Sequence, residues 1–416
     1  MSGGTPSVMD CRRAIEALRS GVPNRDAVRV MGCNQGAVER LFIDKLRQVP
    51  DYLAADKQVS GLLVSGDFGT GKSHLLEYLE DSALSEGFVC SRVVISKETP
   101  LYDPAKLYRA AVESAAVPGH AGQAIQEMAL RLHETDEYAR FYQWCNSTGA
   151  SVSALFPATL FLHERLRADP ELIEAIVNFW SGEHLAIKEI RDGLKLLDSA
   201  PLFALRAVPA RRLPFERFLF TARMVAGAGY KGWLILIDEV ELIGQYSLLQ
   251  RARSYAELAR WMGLLENERY PGVLTVAAIT VDFDARVLQG KGDFSSVRLR
   301  LESRDSAMVA RAETGMRLIR RDAVELKQPD EVTLRQTYAR LQQLHARAYA
   351  WEPPDIAGAK PSLVTRMRAH VRRWINEWDL KRLYPGVPIT IEELELAPSY
   401  EEVPELEAPS ELPGKD

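Results

Sequence analysis

Gly66-Asp-Phe-Gly-Thr-Gly71-Lys72-Ser73 matches the phosphate-loop pattern of nucleoside-triphosphate-binding proteins, G-x-x-x-x-G-K-[ST]. The apolar run at residues 61–65 before it is typical of a buried parallel strand, and residues 74–84 after it place leucines at helical spacing. Strand, glycine loop and helix therefore follow one another in the order that this motif requires. The alternative is a chance match in a glycine-containing turn, and the flanking elements argue against it.

Each position of the loop has a chemical reason. The glycines let the backbone adopt conformations closed to residues with a Cβ atom, so that successive amides turn toward the phosphates. Lys72 would reach the β- and γ-phosphates, the Ser73 hydroxyl would coordinate Mg2+, and the following helix would add its unsatisfied amides. The residues expected to bind the nucleotide are Gly66, Asp67, Phe68, Gly69, Thr70, Gly71, Lys72, Ser73 and His74.

A second motif, Trp233-Leu-Ile-Leu-Ile237-Asp238-Glu239, predicts another buried strand with two carboxylates at its carboxyl end, where ligands bind in open α/β sheets. Asp238 would hold the Mg2+ shell, and Glu239 would orient and deprotonate the attacking water as a general base. An apolar run followed by Asp-Glu is weak on its own, because many strands end in a charged turn. Its occurrence in the same chain as a phosphate loop strengthens the assignment of these two carboxylates to a nucleotide site.

The composition is that of a globular protein. The chain has 416 residues, of which 46% are hydrophobic, and this length predicts two or three domains. No run approaches the roughly 20 apolar residues of a membrane span, and the first residues lack the features of a secretory signal. Four scattered cysteines without a C-x-x-C pair predict reduced thiols in a cytoplasmic protein, with no membrane attachment and no structural metal site.

Negative charge is concentrated at the C-terminus. Residues 391–416 contain nine acidic residues and one lysine, a net charge of −8 against −5 for the whole chain, which leaves the remainder near +3. Four prolines interrupt the same segment. This composition predicts an acidic disordered tail over residues 389–416, and the alternative is a docking strip for a basic partner.

The N-terminal residues 8–49 are predicted to be helical, with a break at residues 22–24 and two further helices on either side of Gly32-Cys33-Asn34. The apolar spacing around Gly32 has the rhythm of a helix-turn-helix, whose second helix would read DNA. That helix, residues 35–46, carries only Arg40 and Lys45 as cations. A packed helical hairpin is the favoured interpretation, and DNA reading is the alternative.

The two motifs are 166 residues apart (238 − 72), which predicts a helical insertion between them. A second strand is expected at residues 88–95, followed by helices at 104–116 and 121–197 with a break at 150–157. After the second motif, a strand at 272–280 ends in the hydroxyl of Thr280, a helix spans 305–321, and a last strand lies near 323–327. The predicted fold is an α/β protein with a five-stranded parallel sheet.

The C-terminal part is helical and basic. Apolar side chains step by three and four along one face of residues 363–378, while Arg366, Arg368, Arg372 and Arg373 occupy the rest. One interpretation is a solvated cationic face on a packed helix. The others are a γ-phosphate sensor folded over the nucleotide and a contact to nucleic-acid phosphates.

The order of phosphate loop, Asp-Glu strand, hydroxyl-ending strand, arginine-bearing helix and helical lid resembles an AAA+ ATPase, most closely the initiator and helicase-loader branch. More narrowly, the chain resembles the BrxD family of BREX phage-defence ATP-binding proteins, nearly throughout except for the acidic tail. The similar blocks are residues 66–76, Ser96-Lys-Glu-Thr-Pro-Leu101, residues 232–243 with Gln250-Arg-Ala-Arg-Ser-Tyr255, and Trp374-Ile-Asn-Glu-Trp-Asp-Leu380.

The resemblance implies a Mg2+-dependent ATPase in a bacterial or archaeal anti-phage role, acting at DNA beside a helicase-like partner, and it also suggests a homo-oligomer. By the AAA+ pattern, Thr280 would be the first sensor, and Arg317, Arg320 or Arg321 would act in trans on the ATP of a neighbouring subunit. The candidates for the second sensor are Arg366 and Arg368. The long separation of the two motifs departs from the AAA+ pattern.

These features predict an N-terminal helical segment (1–52), an AAA+ core (53–328) with an insertion at about 119–205, a C-terminal helical lid (329–388) and the tail (389–416).

Two functions remain open. One is an ATPase whose hydrolysis remodels a DNA-bound defence complex, and the other is a slow switch or scaffold that binds ATP and recruits defence effectors. A metabolic kinase is disfavoured because no small-substrate motif is recognisable.

Overall fold

The structure, a computed structural model, describes residues 6–356 and 367–386 together with Tyr400 and Val403. Strands of this part of the chain form one sheet: β1 (Leu62–Ser65), β2 (Val89–Val94), β3 (Ala116–Val117), β4 (His120–Ala121), β5 (Trp233–Asp238), β6 (Val273–Ile279) and β7 (Val324–Glu325). The helices are α1 (Val8–Ser20), α2 (Arg25–Met31), α3 (Gly36–Ala54), α4 (Lys72–Ser85), α5 (Pro104–Glu113), α6 (Ala124–Arg131), α7 (Glu137–Cys145), α8 (Leu155–Arg165), α9 (Pro170–Ser181), α10 (Ile187–Leu196), α11 (Leu213–Gly227), α12 (Leu248–Trp261), α13 (Asp293–Leu301), α14 (Ser306–Arg321), α15 (Glu331–Tyr349) and α16 (Met367–Leu383).

The strand order of the sheet is β4-β3-β2-β5-β6-β1-β7. The five strands from β2 to β7 in that order are parallel to one another, whereas β3 and β4 pair antiparallel. The expected five-stranded parallel sheet is therefore extended at one edge by two short strands. The prediction of helix at residues 116 and 121 was wrong: Pro118 and Gly119, which has φ +88°, reverse the chain there, and a helix cannot accommodate this turn.

The sheet separates two apolar layers, because successive side chains of a strand point to opposite faces. Leu62 and Val64 of β1 pack with α3 and α4 on one face. Leu63 packs on the other face, in a core that includes α5, α11, α12, α14 and the helices between β4 and β5. The carboxyl ends of the parallel strands β1, β5 and β6 meet at one edge, and this edge positions the candidate site.

Helices from the two ends of the chain pack together. α1 and α2 share an apolar cluster with α15 and α16, in which Ile15 and Trp378 are fully buried. The Arg12 Nε donates to the Ala348 carbonyl at 2.8 Å. By contrast, α3, which was considered for DNA reading, turns Val38 and Phe42 toward the sheet. The N-terminal helices therefore contact both the C-terminal helices α15 and α16 and the sheet.

Two residues of the predicted disordered tail lie against the core. Tyr400 contacts Thr280 and Asp282, and the Val403 N–H donates to the Gln245 carbonyl at 3.2 Å. For these two residues defined contacts replace the predicted disorder, and the rest of residues 389–416 lies outside the described part. None of the described helices is long and apolar enough to cross a membrane.

Candidate nucleotide-binding site

The phosphate loop joins the carboxyl end of β1 to the start of α4. Gly71 immediately precedes α4 with φ +100°, a conformation that residues with a Cβ atom rarely adopt. At Gly66 a Cβ atom would lie 2.7 Å from Thr70 Oγ1. That hydroxyl donates to the Asp67 carbonyl at 2.8 Å and closes the turn inside the loop. These residues therefore form a compact loop that ends at the free amides of a helix start.

Lys72 is held inside this loop. Its Nζ donates to the Gly66 carbonyl at 3.0 Å, lies 3.4 Å from Glu241 Oε1 and lies 5.0 Å from the centre of the Phe68 ring. Only 7% of the lysine side chain is exposed. A triphosphate in the loop would therefore compete with a carboxyl group for this cation.

Glu241 is a site residue that the sequence analysis missed. It lies in the 3-10 turn Val240–Gln245 that follows β5, and its side chain is 3% exposed. Burial raises the pKa of Glu241 to about 7, although the charge of Lys72 opposes this shift. Among the described residues, neither of its carboxyl oxygens has a well-formed hydrogen bond. An acid two positions after Asp-Glu was visible in the sequence, but its inward orientation was not.

Asp238 and Glu239 occupy the carboxyl end of β5. Asp238 is buried, and its Oδ1 accepts the Glu239 backbone N–H at 3.0 Å. Burial raises the pKa of Glu239, the neighbouring charge of Asp238 raises it further, and Lys72 and Arg368 oppose the shift. A carboxylate with a raised pKa holds a proton more strongly, which suits a general base.

Arg92 of β2 connects the two motifs, and it was also missed. Its Nη2 donates to Asp238 Oδ2 at 3.1 Å and to the Ser73 carbonyl at 3.2 Å, while its Nη1 donates to Glu77 Oε2 at 2.8 Å. One guanidinium group therefore holds the end of β5 beside the first turn of α4. This contact brings together Ser73 and Asp238, the two residues expected to coordinate Mg2+.

Thr280 directly follows β6, which lies between β1 and β5 in the sheet. It therefore belongs to the same edge as Lys72 and Asp238. Thr280 is 2% exposed, and its Oγ1 lies 2.6 Å from the Tyr400 hydroxyl oxygen. Sequence patterns could not indicate the contact between Thr280 and Tyr400, because the two residues are 120 positions apart.

A cavity of about 180 Å³ opens beside the loop, between the two ends of the chain. The residues around it include Met31, Gly69, His74, Thr333 and Arg368. His74, which was expected to bind the nucleotide, contacts the Gly32 carbonyl through Nε2 at 2.7 Å, and burial lowers the pKa of its imidazole. Its ring therefore fixes the N-terminal wall of the cavity rather than the loop.

The predicted sensor arginine Arg368 lies at this cavity. Its backbone N–H donates to the Gly69 carbonyl at 3.4 Å, so the start of α16 touches the loop. Arg366, the other candidate, lies outside the described residues.

The candidate trans arginines Arg317, Arg320 and Arg321 are exposed on α14. Arg317 pairs with Glu313 at 2.9 Å, and the Arg320 Nε lies 3.9 Å from Asp284 Oδ2. The described contacts of these arginines therefore lie away from the phosphate loop of their own chain.

The donors and acceptors present suit a triphosphate with Mg2+. Lys72 and the amides at the start of α4 offer positive charge, while Ser73 and Asp238 offer the oxygen ligands that Mg2+ prefers. Across the described residues, no group of three or more His, Cys, Asp and Glu side chains could hold a metal ion.

The family model of the BREX system ATP-binding protein BrxC/D matches residues 7–132 and 215–373. The chain belongs to this family. Membership in the BrxC/D family implies ATP binding within a phage-defence system, and the match does not distinguish BrxD from BrxC. Comparisons with curated proteins and with solved structures gave no significant match.

The segments matched by the BrxC/D model contain all seven described strands, the phosphate loop, Asp238, Glu239 and Thr280. The unmatched residues 133–214 carry α7 to α10 of the helical insertion. The family match therefore coincides with the sheet and the helices that surround the candidate site.

Proposed function

We propose that this BrxC/D family protein is a Mg2+-dependent ATPase with an AAA+ core. The observation that carries the proposal is the meeting of Lys72, Asp238 and Glu239 at one edge of a parallel sheet, with Arg92 bridging the two motifs. The order of the parallel strands, β2-β5-β6-β1-β7, supports the AAA+ assignment because the loop strand has the Thr280 strand on one side and the last strand on the other.

The proposed reaction is attack of water on the γ-phosphorus of ATP, with cleavage of the bond to ADP. Lys72 would bind the β- and γ-phosphate oxygens, and Glu239 would accept a proton from the attacking water. Thr280 would donate a hydrogen bond to the γ-phosphate. Ser73 and Asp238 would hold Mg2+, which supplies positive charge to the phosphate oxygens.

The base and ribose would lie in the cavity beside the loop. It begins at Gly69 and Gly71 and has apolar walls that include Leu18, Met31 and Val371. An apolar slot next to a phosphate site is the usual environment of a nucleotide base. Arg368, whose backbone N–H contacts the Gly69 carbonyl of the loop, would act as the second sensor of the γ-phosphate, and its opposing effect on the pKa of Glu239 supports this role.

The biological setting follows from the family and from the resemblance in sequence. We propose a cytoplasmic protein that acts at DNA with a helicase-like defence partner and forms a homo-oligomer in which Arg317, Arg320 or Arg321 reaches the ATP of a neighbour. The exposure of these arginines supports the last point.

A slow ATP-dependent switch or scaffold is the second candidate. It is favoured by the contacts of two groups that would act on the γ-phosphate, since Lys72 is paired with Glu241 and Thr280 with Tyr400. Turnover measured with and without DNA separates the two candidates.

Two substitutions test the site. Lys72→Ala should abolish detectable ATP binding in calorimetry, because it removes the cation facing the phosphates. Glu239→Gln should keep ATP binding and slow hydrolysis roughly 100-fold or more, the range expected for loss of a general base. Lys195→Ala and Glu137→Gln, which change exposed residues of the insertion, are the matched controls. Wild-type ATP affinity in Lys72→Ala would contradict the assignment.

A further inference from the structure

Tyr400 is seated in a slot at the edge of the sheet. Its hydroxyl oxygen lies 2.6 Å from Thr280 Oγ1 and 3.0 Å from Asp282 Oδ1. Its ring packs edge-on against the Phe283 ring, with the two ring centres 6.2 Å apart, and the Arg286 guanidinium lies 5.8 Å from the centre of the Tyr400 ring. We call this set of contacts, formed by residues 244–245 and 280–286, the tyrosine slot.

The slot has room for the ring because residue 244 is a glycine. A Cβ atom at Gly244 would lie 3.0 Å from Tyr400 Cδ1. The neighbouring carbonyl of Gln245 accepts the Val403 N–H at 3.2 Å, so the tail has a backbone contact as well. Burial raises the pKa of Tyr400, which therefore keeps its hydroxyl proton at neutral pH.

The hydrogen bonds in the slot fix which group donates to which. A tyrosine hydroxyl has one proton, and an ionised carboxylate only accepts. Asp282 is such a carboxylate, because its other oxygen lies 2.9 Å from the Arg286 Nε. Tyr400 therefore donates to Asp282. The 2.6 Å contact with Thr280 then requires the threonine hydroxyl to donate to Tyr400, and that proton is the one a γ-phosphate would need.

We propose that the C-terminal segment carrying Tyr400 is an intramolecular ligand of the ATPase centre, which occupies the tyrosine slot and withholds the Thr280 hydroxyl from the γ-phosphate. This inference rests on the proposed ATPase function and adds the tail as its inhibitor. The tail must leave the slot before Thr280 can act on ATP. A partner or nucleotide that displaces Tyr400 would therefore raise turnover.

Tyr400→Phe is the sharpest test, because it keeps the ring and removes only the hydroxyl. We expect its ATP turnover to rise about 2- to 10-fold, the population ratio that corresponds to the net contribution of one hydrogen bond. ATP affinity should rise by no more than the same factor, since the docked tail and ATP compete for Thr280 while Lys72 and the loop are untouched. Tyr384→Phe, at an exposed tyrosine directly after α16, is the matched control and should leave turnover unchanged.

A second variant tests whether activation comes from release of the Thr280 hydroxyl or from weaker packing of the whole tyrosine slot. In a Thr280→Val background, Tyr400→Phe should change turnover by less than the single substitution does, because no threonine hydroxyl is left to release. Equal activation in both backgrounds would overturn the proposed route through Thr280.

Hydrogen exchange gives a readout that does not depend on turnover. A non-hydrolysable ATP analogue should speed exchange of the Val403 amide, since the analogue and the docked tail compete for Thr280. The inference is wrong if the wild-type protein binds ATP but both the exchange at Val403 and the turnover of Tyr400→Phe are unchanged. Absence of ATP binding by the wild-type protein would instead overturn the proposed function itself.

Discussion

Lys72 and Glu241 form an ion pair in which the acid is costly to ionise. The carboxyl group is 3% exposed, and its pKa is raised to about 7 by burial despite the cation at 3.4 Å. In the unfolded chain the same group would ionise near its ordinary value of 4.5. The folded protein therefore binds the Glu241 proton more tightly than the unfolded chain does, and the difference makes its stability depend on pH.

Glu241→Gln tests this dependence. The stability that a protonated Glu241 confers is present below about pH 4.5 and is lost as the pH rises to about 7, so the free energy of unfolding of the wild-type protein should fall by about 3 kcal/mol over this window. Glutamine cannot ionise. The variant should match the wild-type protein near pH 5 and exceed it near pH 8 in urea unfolding.

Glu257, whose pKa burial also raises to about 7, titrates in both proteins and cancels in their difference. A constant offset between the two proteins from pH 5 to pH 8 would contradict the role assigned to Glu241.

Arg92→Gln tests the link between the two motifs. The substitution leaves Asp238 and Glu77, both largely buried, without their guanidinium partner. We expect a loss of about 2 kcal/mol in the free energy of unfolding, because unpaired buried charges are costly. Arg140→Gln breaks a solvent-exposed pair with Glu137 and should cost less than about 0.5 kcal/mol. Equal effects of the two substitutions would show that Arg92 does not hold these elements.

At the scale of residues, the sequence predicted those whose chemistry is tied to a local motif. Lys72, Ser73, Asp238 and Glu239 could be assigned roles from the sequence because a loop or a strand end fixes their neighbours, and these roles remain predictions. Their structural partners Arg92, Glu241 and Tyr400 were not, since each contact joins segments that only the folded chain brings together.

The helices α12 and α14 approach each other at the level of the backbone. A Cβ atom on Gly315 of α14 would lie 2.0 Å from the Tyr255 carbonyl oxygen of α12. Nearby, Arg251 of α12 makes a buried bidentate pair with Asp293 of α13 at 2.8 and 2.9 Å. The close approach at Gly315 places α14, with its candidate trans arginines, directly against α12, while the ion pair joins α12 to α13.

Gly315→Ala should therefore destabilise the protein by about 2 kcal/mol or more, because neither backbone can yield without moving a helix. Thr314→Ala, at the adjacent position of the same helix, should stay within about 0.5 kcal/mol. Urea unfolding measures both. A Gly315→Ala protein with the wild-type midpoint would mean that the helices are farther apart than described.

At the scale of elements, the predicted strands at the core of the sheet were found because apolar runs mark them. The short strands β3 and β4 were missed, although Pro118-Gly119 is a turn signal, because an apolar pair is too short to show a period. The packing of α1 and α2 on α15 and α16 left no sequence signal. The contact from Arg12 to Ala348, for example, spans 336 positions.

The whole molecule presents Arg317, Arg320 and Arg321 of α14 to the outside. If Arg320 and Arg321 serve a neighbour, replacing both by alanine should lower hydrolysis about a thousandfold and leave ATP affinity nearly unchanged, since a trans guanidinium stabilises charge that develops in the transition state. Steady-state turnover and calorimetry give the two quantities.

Arg140→Ala with Arg335→Ala, which removes two exposed arginines paired within their own helices, is the matched control. Mixing the Arg320→Ala, Arg321→Ala protein with the Glu239→Gln protein should restore part of the activity when subunits share sites. Normal hydrolysis by the double variant would point to Arg317 or to a monomeric switch.

The packing of α1 and α2 against α15 and α16 has a consequence for biosynthesis. The ribosome makes α1 well before the helix that completes its apolar cluster, which begins only at Met367. At translation speeds of about 5 to 20 residues per second, Cys11 and Ile15 wait roughly 20 to 70 s for this partner. We therefore expect nascent chains that end before Met367 to remain bound to chaperones that cover apolar helices, and release to follow synthesis of α16.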